Sequence, residues 1–343
     1  MKQIMLILSA LLAFGAAAQS SAAIKWHPGH YVWLDPHDTQ SAHFKHIDEI
    51  ASVSSIKGVE ILLSWAELEK AKGVYDFSKI DAYLSKLKSL AVAKRLVVRI
   101  KDRNFNGGSA GIVPDYLRKD AVYNGGIAPM AYGYVARIWE QPVNDRLIAL
   151  YRALGSRYNS NPYLEAFHTE ETSISFTTAP KGYSIGALTN QYYRFIAAAH
   201  DTMPNTGLIL GANFLGSDAN MQAVLQSLIE QPLGVGGINN IPNKLGQSQR
   251  VWTGVTGADF TTALALANTV EDLDLGGSHG NFTPKQHYDW ASKTLKVNYM
   301  FWIRNTWMGG SAQRWSTGIL PFLKTNPALR TGCPTSYGSC NTH

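Results

Sequence analysis

Cysteine is nearly absent, with two in 343 residues. Both sit in the tail Cys333-Pro-Thr-Ser-Tyr-Gly-Ser-Cys340. That tail offers too few ligands for a zinc site, so the pair is expected to form a disulfide, which requires an oxidising compartment. A loop of this size adds roughly 2.5 kcal/mol on the chain-entropy model. Charge is also sparse, at 16% Asp, Glu, Lys and Arg, and the net balance of +6 is scattered rather than gathered into a basic tract. Nucleic acid is therefore not an expected partner. No glycine-rich nucleotide turn follows the first strand-like segment, which argues against a dinucleotide-binding sheet. Beyond the N-terminus no apolar run is long enough to span a bilayer. No repeat or low-complexity linker divides the chain, so one domain is expected.

What is present begins with Met1-Lys2, the apolar run Ile4 to Ala18 and the small residues Ser21-Ala22-Ala23. This is the composition of a secretory signal peptide over residues 1–23, leaving 24–343 as the mature chain, secreted or periplasmic. With 45% hydrophobic residues, that chain can bury a large core.

Strand-like and helix-like segments then alternate. The apolar runs at Tyr31–Leu34, Gly58–Trp65, Arg95–Ile100, Leu164–Phe167, Gly207–Gly211, Leu233–Asn239, Leu264–Val270 and Val297–Trp302 make eight candidate strands. Between most of them lie amphipathic stretches, with faces such as Ile80, Leu84 and Leu87, or Leu147, Leu150, Tyr151 and Leu154. Continuous apolar strands separated by amphipathic helices signal a parallel sheet covered on both faces. Eight units in one chain predict an α/β fold, a closed (β/α)8 TIM barrel.

In such a barrel chemistry gathers where strands end. The fourth candidate strand runs into Phe167-His168-Thr169-Glu170-Glu171, and the seventh into Val270-Glu271-Asp272. Two acid-tipped strands predict carboxylates meeting across a cleft, the equipment for glycosidic bond cleavage. Trp65 and Trp302, also at strand ends, are candidate sugar-stacking surfaces. Arg99 is a candidate to orient a carboxylate. Asn239 and Asn240 are candidates to bond sugar hydroxyls, and His30 and His168 to touch substrate. Lys101, Asp102 and Arg103 share the end of the third strand. The long Asn104–Trp139 connection suits a lid or subsite wall. His27, His30 and His37 are close in sequence, and Asp272-Leu-Asp274-Leu-Gly276 faintly resembles a calcium loop, but neither spacing makes a metal site.

The stretch Val-Glu-Ile-Leu-Leu-Ser-Trp-Ala-Glu-Leu-Glu-Lys-Ala-Lys-Gly-Val-Tyr-Asp-Phe, beginning at Val59, resembles the second βα unit of clan A glycoside hydrolases. That resemblance implies a retaining enzyme on a (β/α)8 barrel, with its acid/base Glu ending strand four and its nucleophile Glu ending strand seven. Here these positions fall on Glu170 or Glu171 and on Glu271. The clan's acid/base follows an Asn, whereas this chain has Thr169-Glu170-Glu171; Glu171 is the favoured acid, with Glu170 in the Asn slot. The Asp-x-x-Asp-x-Asp-x-Glu strand of chitinase-like barrels is missing, which argues against substrate-assisted cleavage. The expectation is a cofactor-free, monomeric hydrolase of a poly- or oligosaccharide, probed against two alternatives: a non-catalytic carbohydrate-binding barrel and a polysaccharide lyase.

Overall fold

The computed structural model describes residues 23–105, 107–305 and 309–343. The leader reading lies, apart from Ala23, outside the described residues. Eight strands form the closed parallel barrel: β1 (Gly29–Trp33), β2 (Ile56–Ser64), β3 (Arg95–Lys101), β4 (Leu164–Thr169), β5 (Gly207–Gly211), β6 (Gly234–Gly237), β7 (Ala265–Val270) and β8 (Tyr299–Ile303). Each strand pairs with its neighbour in sequence, and β8 pairs with β1 to close the ring. The eight-strand TIM barrel expected from the apolar runs is therefore the fold, with strand limits that move by at most two residues.

Side-chain alternation builds two layers of core. Tyr31, Val97, Ala166, Ile209, Ala265, Ala267, Tyr299 and Phe301 point inward and pack together. Val32, Val98, Phe167, Val235, Leu266 and Met300 point outward, under the helices. Those helices are α1 (Gln40–Glu49), α2 (Ser78–Lys88), α3 (Gln141–Tyr158), α4 (Ile185–Thr202), α5 (Asp218–Glu230), α6 (Gln247–Trp252), α7 (Pro284–Asp289) and α8 (Leu320–Lys324). Sequence periodicity misses α6. Its buried residues include Gln247, Ser248 and Gln249, so it has no apolar stripe to show.

The floor of the barrel is closed by both ends of the described chain. Ile24–Lys25 pairs with Cys340–Asn341, and Cys333 is disulfide-bonded to Cys340 as expected. Trp26 meets Tyr299 and Tyr337 edge to face.

At the opposite end, the Trp65–Gly73 segment forms a knot around one carboxylate. Glu69 is fully buried and accepts hydrogen bonds from Trp65 Nε1 (2.9 Å), Gly73 N (2.8 Å), Tyr116 Oη (3.0 Å) and Arg146 Nη2 (2.5 Å). Gly73, at φ +75°, makes the turn that aims its N–H back at Glu69. Tyr116 belongs to the long connection after β3, which carries the small antiparallel sheet Arg103–Asn104, Tyr134–Ala136 and Ile127–Pro129. Glu69 thus fastens that connection to the barrel. Removing it strands a half-buried guanidinium and three donors. Glu69→Ala is expected to cost about 3 kcal/mol in urea unfolding. Asp115→Asn, which breaks only the exposed Lys119 pair, is expected to change stability by less than about 0.5 kcal/mol.

Candidate active site

The site grows from charge inside the barrel. Glu60 is the one acid in the apolar strand β2, and its inward position places it beneath the mouth, fully buried. Arg99, inward on β3, pairs with it (Nη2–Oε2 3.0 Å) and also donates to Thr269 Oγ1 on β7 (3.0 Å). Trp33, at the end of β1, lays its ring 4.8 Å from the Arg99 guanidinium carbon. His168 Nδ1 donates to the other Glu60 oxygen at 2.7 Å. Burial pushes Glu60 up, but Arg99 and His168 outweigh it and hold the carboxyl below its ordinary value. Burial, with Arg99 nearby, holds His168 down, so its gift to Glu60 is a hydrogen bond from a neutral ring. Arg99 stays charged: burial opposes this, but Glu60, Glu170 and Glu271 prevail. Room for His168 comes from Gly236 on β6, where an added Cβ would lie 2.9 Å from Nε2.

Three carboxylates lie above this base, each keeping part of its surface at the mouth. Glu271 follows β7. Its backbone N–H donates to Asp274 Oδ2 (2.9 Å), which also accepts from Asn240 N (3.2 Å), while Asp274 Oδ1 meets His279 Nδ1 (2.9 Å). Burial raises the Glu271 carboxyl well above its ordinary value; Asp274, Glu170 and Glu171 push the same way, and Arg99 opposes. Glu170 is raised by burial against Arg99 and Arg103. It lines a small cavity of about 20 Å³ with Asp102, Asn144, Tyr151 and Tyr192, between β3, β4 and helices α3 and α4. Glu171 is also raised, by burial first, against Arg103 and the hydrogen bond from Asn213 Nδ2. The two acidic strand tips therefore share one electrostatic environment, centred on Arg99. Arg103, pinned by Asp102 (2.9 Å) and the Ser173 carbonyl (2.6 Å), forms its flank.

Two openings lie near the carboxyl ends of the strands, and none of the three acids lines either. A cavity of about 560 Å³ on the β1–β3 side is lined by His37, Asp38, Ser64, Glu67, Tyr83 and Lys101 among others. A groove of about 160 Å³ on the β5–β7 side is lined by Asn213, Asn239, Lys244, Gln249 and His279.

Several candidates from the sequence are placed elsewhere. Trp65 is fully buried on Glu69, so its face is not open to sugar. Trp302 takes an outward phase on β8 and packs under the helices against Phe322, donating Nε1–H to His30 Nδ1 at 3.0 Å. His30 is outward on β1 and spends its other nitrogen on the Pro327 carbonyl (3.1 Å); burial holds it down to about 4. For both residues the strand phase, one step off the inward positions, decides the matter. Asn240 is fully buried and bonds the His287 carbonyl and Asp274. His168 lies beneath the mouth, without exposure. Asn239 does line the smaller groove. His27, His30 and His37 diverge to Glu165, Trp302 and Asp35. Among the described residues no group of His, Cys, Asp or Glu is arranged to hold a metal, and no helix is long and apolar enough to cross a membrane. Sequence reasoning missed Glu60, Trp33, Thr269 and Asn213. Only Glu60 leaves a legible signal, an acid in a fully buried apolar strand, which demands a cation.

No protein-family model matches the chain, and no curated protein is similar to it in sequence. Solved structures resemble it in fold. The β-amylase catalytic domain of Paenibacillus polymyxa aligns at 10% identity and TM-score 0.57, over 82% of this chain and 93% of that one. Endo-glycoceramidase II from Rhodococcus sp. aligns at 14% identity and TM-score 0.55, over 88% and 80%. A β-galactosidase from Halorubrum lacusprofundi aligns at 9% identity and TM-score 0.58, over 87% of this chain and 57% of that one. At such identities the likeness is one of fold: the chain has the barrel on which these glycan-processing proteins are built.

Proposed function

We propose that the chain is a glycoside hydrolase acting by retention on a β-linked poly- or oligosaccharide. The observation that carries this reading is the shared environment of Glu271 with Glu170 and Glu171 around Arg99, at the carboxyl ends of β7 and β4. The fold of three glycan-processing proteins supports it by analogy. Export and a monomeric state belong to the same proposal; the leader composition and the Cys333–Cys340 disulfide favour export.

In this mechanism Glu171 is the acid/base. It is partly exposed, held by Asn213, and raised by burial, as an acid must be to keep its proton near neutral pH. Its proton passes to the glycosidic oxygen as the bond to the anomeric carbon breaks, and a Glu271 oxygen bonds that carbon. Water then attacks the same carbon, gives its proton to Glu171 and frees Glu271. Attack requires Glu271 ionised; burial and Asp274 raise its carboxyl, and Arg99 is the cation that opposes them. Retention demands that the two carboxyl groups stand about 5–5.5 Å apart. Glu170, which lines the small cavity between β3 and β4, raises Glu271 through its charge.

The direct test is purified protein on a panel of β-linked glycans with product analysis. Reducing ends support the reading; unsaturated products point to a lyase, and binding without release points to a non-catalytic barrel. Glu171→Gln is expected to lower turnover of a natural glycan by about 10²–10⁴-fold and to recover its first step on an activated aryl glycoside. Glu170→Gln is expected to keep most turnover; rescue in that variant instead would exchange the roles.

The pH profile gives a second test. Glu171 works protonated, so kcat/KM falls as pH rises through its raised pKa. Asp102 is among the charges raising it. Asp102→Asn is therefore expected to move the alkaline limb to lower pH; an unmoved or raised limb would remove Glu171 as the titrating acid.

A further inference from the structure

Lys101 has no carboxylate partner. It ends β3 two residues after Arg99, on the inward phase, and it lines the cavity of about 560 Å³ beside Ser64 and His37. Among the described residues its side chain makes no ion pair or hydrogen bond. The other charged groups of that cavity are engaged: Lys79 with Glu67 at 2.5 Å, Asp38 with His46 at 3.1 Å, and His37 with Asp35 at 2.9 Å. Lys101 is also not a leading influence on any of the three acids, whose cationic neighbours are Arg99 and Arg103. It lines the cavity at the end of β3. Across the mouth, the groove of about 160 Å³ contains no carboxylate, and its lining includes the exposed Lys244. A free ammonium thus stands on each side of the acidic centre.

We propose that the cavity at Lys101 is a subsite for an anionic sugar, so that the substrate is a glycan bearing carboxylate or sulfate groups. The proposal rests on the glycosidase reading of the same mouth and narrows its substrate class. An ammonium half withdrawn from water in a concave site needs an anion to compensate it, and none of the cavity's own acids serves. The size of the cavity suits a bound ligand. The three acids repel an anionic ring at the bond to be cut. The sugar at the cleavage point is therefore neutral, and the anionic ring sits one or more places away, against Lys101. Lys244 extends the same preference to the far side.

The test measures binding separately from cleavage. Fluorescence anisotropy at about 0.15 M salt, where surface charge is screened beyond about 8 Å, would compare three sets of labelled oligosaccharides on the full chain. These are uronate oligosaccharides, the same molecules with carboxyls reduced to alcohols, and sulfated galactan oligosaccharides. The wild type should bind at least one anionic set about tenfold more tightly than the neutral, carboxyl-reduced set. Preference for the uronate or the sulfate set identifies the substituent. Lys101→Gln should remove most of that preference and Lys101→Arg should keep it. Lys88→Gln, which removes an equal charge from an exposed, unpaired site on α2, should keep it too. Equal loss in Lys88→Gln, or tightest binding of neutral glycans, overturns the proposal. Cleavage of neutral glycans without anionic preference would overturn the subsite and leave the glycosidase. Lysine-dependent anionic binding with no hydrolysis, or with unsaturated products, would keep the subsite and overturn the glycosidase.

Discussion

A guanidinium sealed inside the barrel sets the terms for everything at its mouth. Arg99 is 1% exposed and cannot shed its charge. Burying it alone would be prohibitive, so the barrel carries Glu60 as counter-charge, Thr269 as a further acceptor and the Trp33 ring against its face. Glu60 in turn needs a second donor, and His168 supplies it from β4. His168 needs space, and Gly236 on β6 leaves it. Five of the eight strands, with Trp33 of β1 as a sixth, are thereby committed to one polar network. The field that emerges from it falls on Glu170 and Glu271, where it opposes the rise that burial imposes.

This division of labour explains why the strand tips can hold three acids within reach of one another. Like charges brought together in a half-buried cleft raise each other's proton affinity. Arg99 and Arg103 limit that rise, and all three carboxyls still stand above their ordinary values. The same crowding costs stability once the carboxylates ionise, a strain commonly stored at sites of chemistry.

The barrel itself was legible in the sequence, because eight buried parallel strands must be written as eight apolar runs. The acid tips were legible too, since Glu170, Glu171 and Glu271 break such runs abruptly. Strand phase was not. Trp302 stands near the end of β8 but faces the helices, as does His30 at the start of β1, and a one-residue change of phase separates a core residue from a site residue. The stretch resembling clan A glycoside hydrolases, from Val59 onward, holds a scaffold in its Trp65–Gly73 part: Trp65 and Gly73 converge on Glu69, which fastens the long connection after β3 through Tyr116. The polar network was hidden for another reason. Glu60, Arg99, His168 and Thr269 lie far apart in sequence, and only barrel closure brings them together.

The central claim is that the carboxylate of Glu271, steadied by Arg99, becomes covalently bonded to the sugar. Incubation with an activated 2-fluoro glycoside of the cleaved sugar, followed by peptide mapping, tests it most directly. The account predicts a single glycosyl adduct on the peptide carrying Glu271, lost on Glu271→Gln. An adduct on Asp272, Glu170 or Glu171 would contradict it, as would turnover with inverted anomeric configuration and no adduct at all.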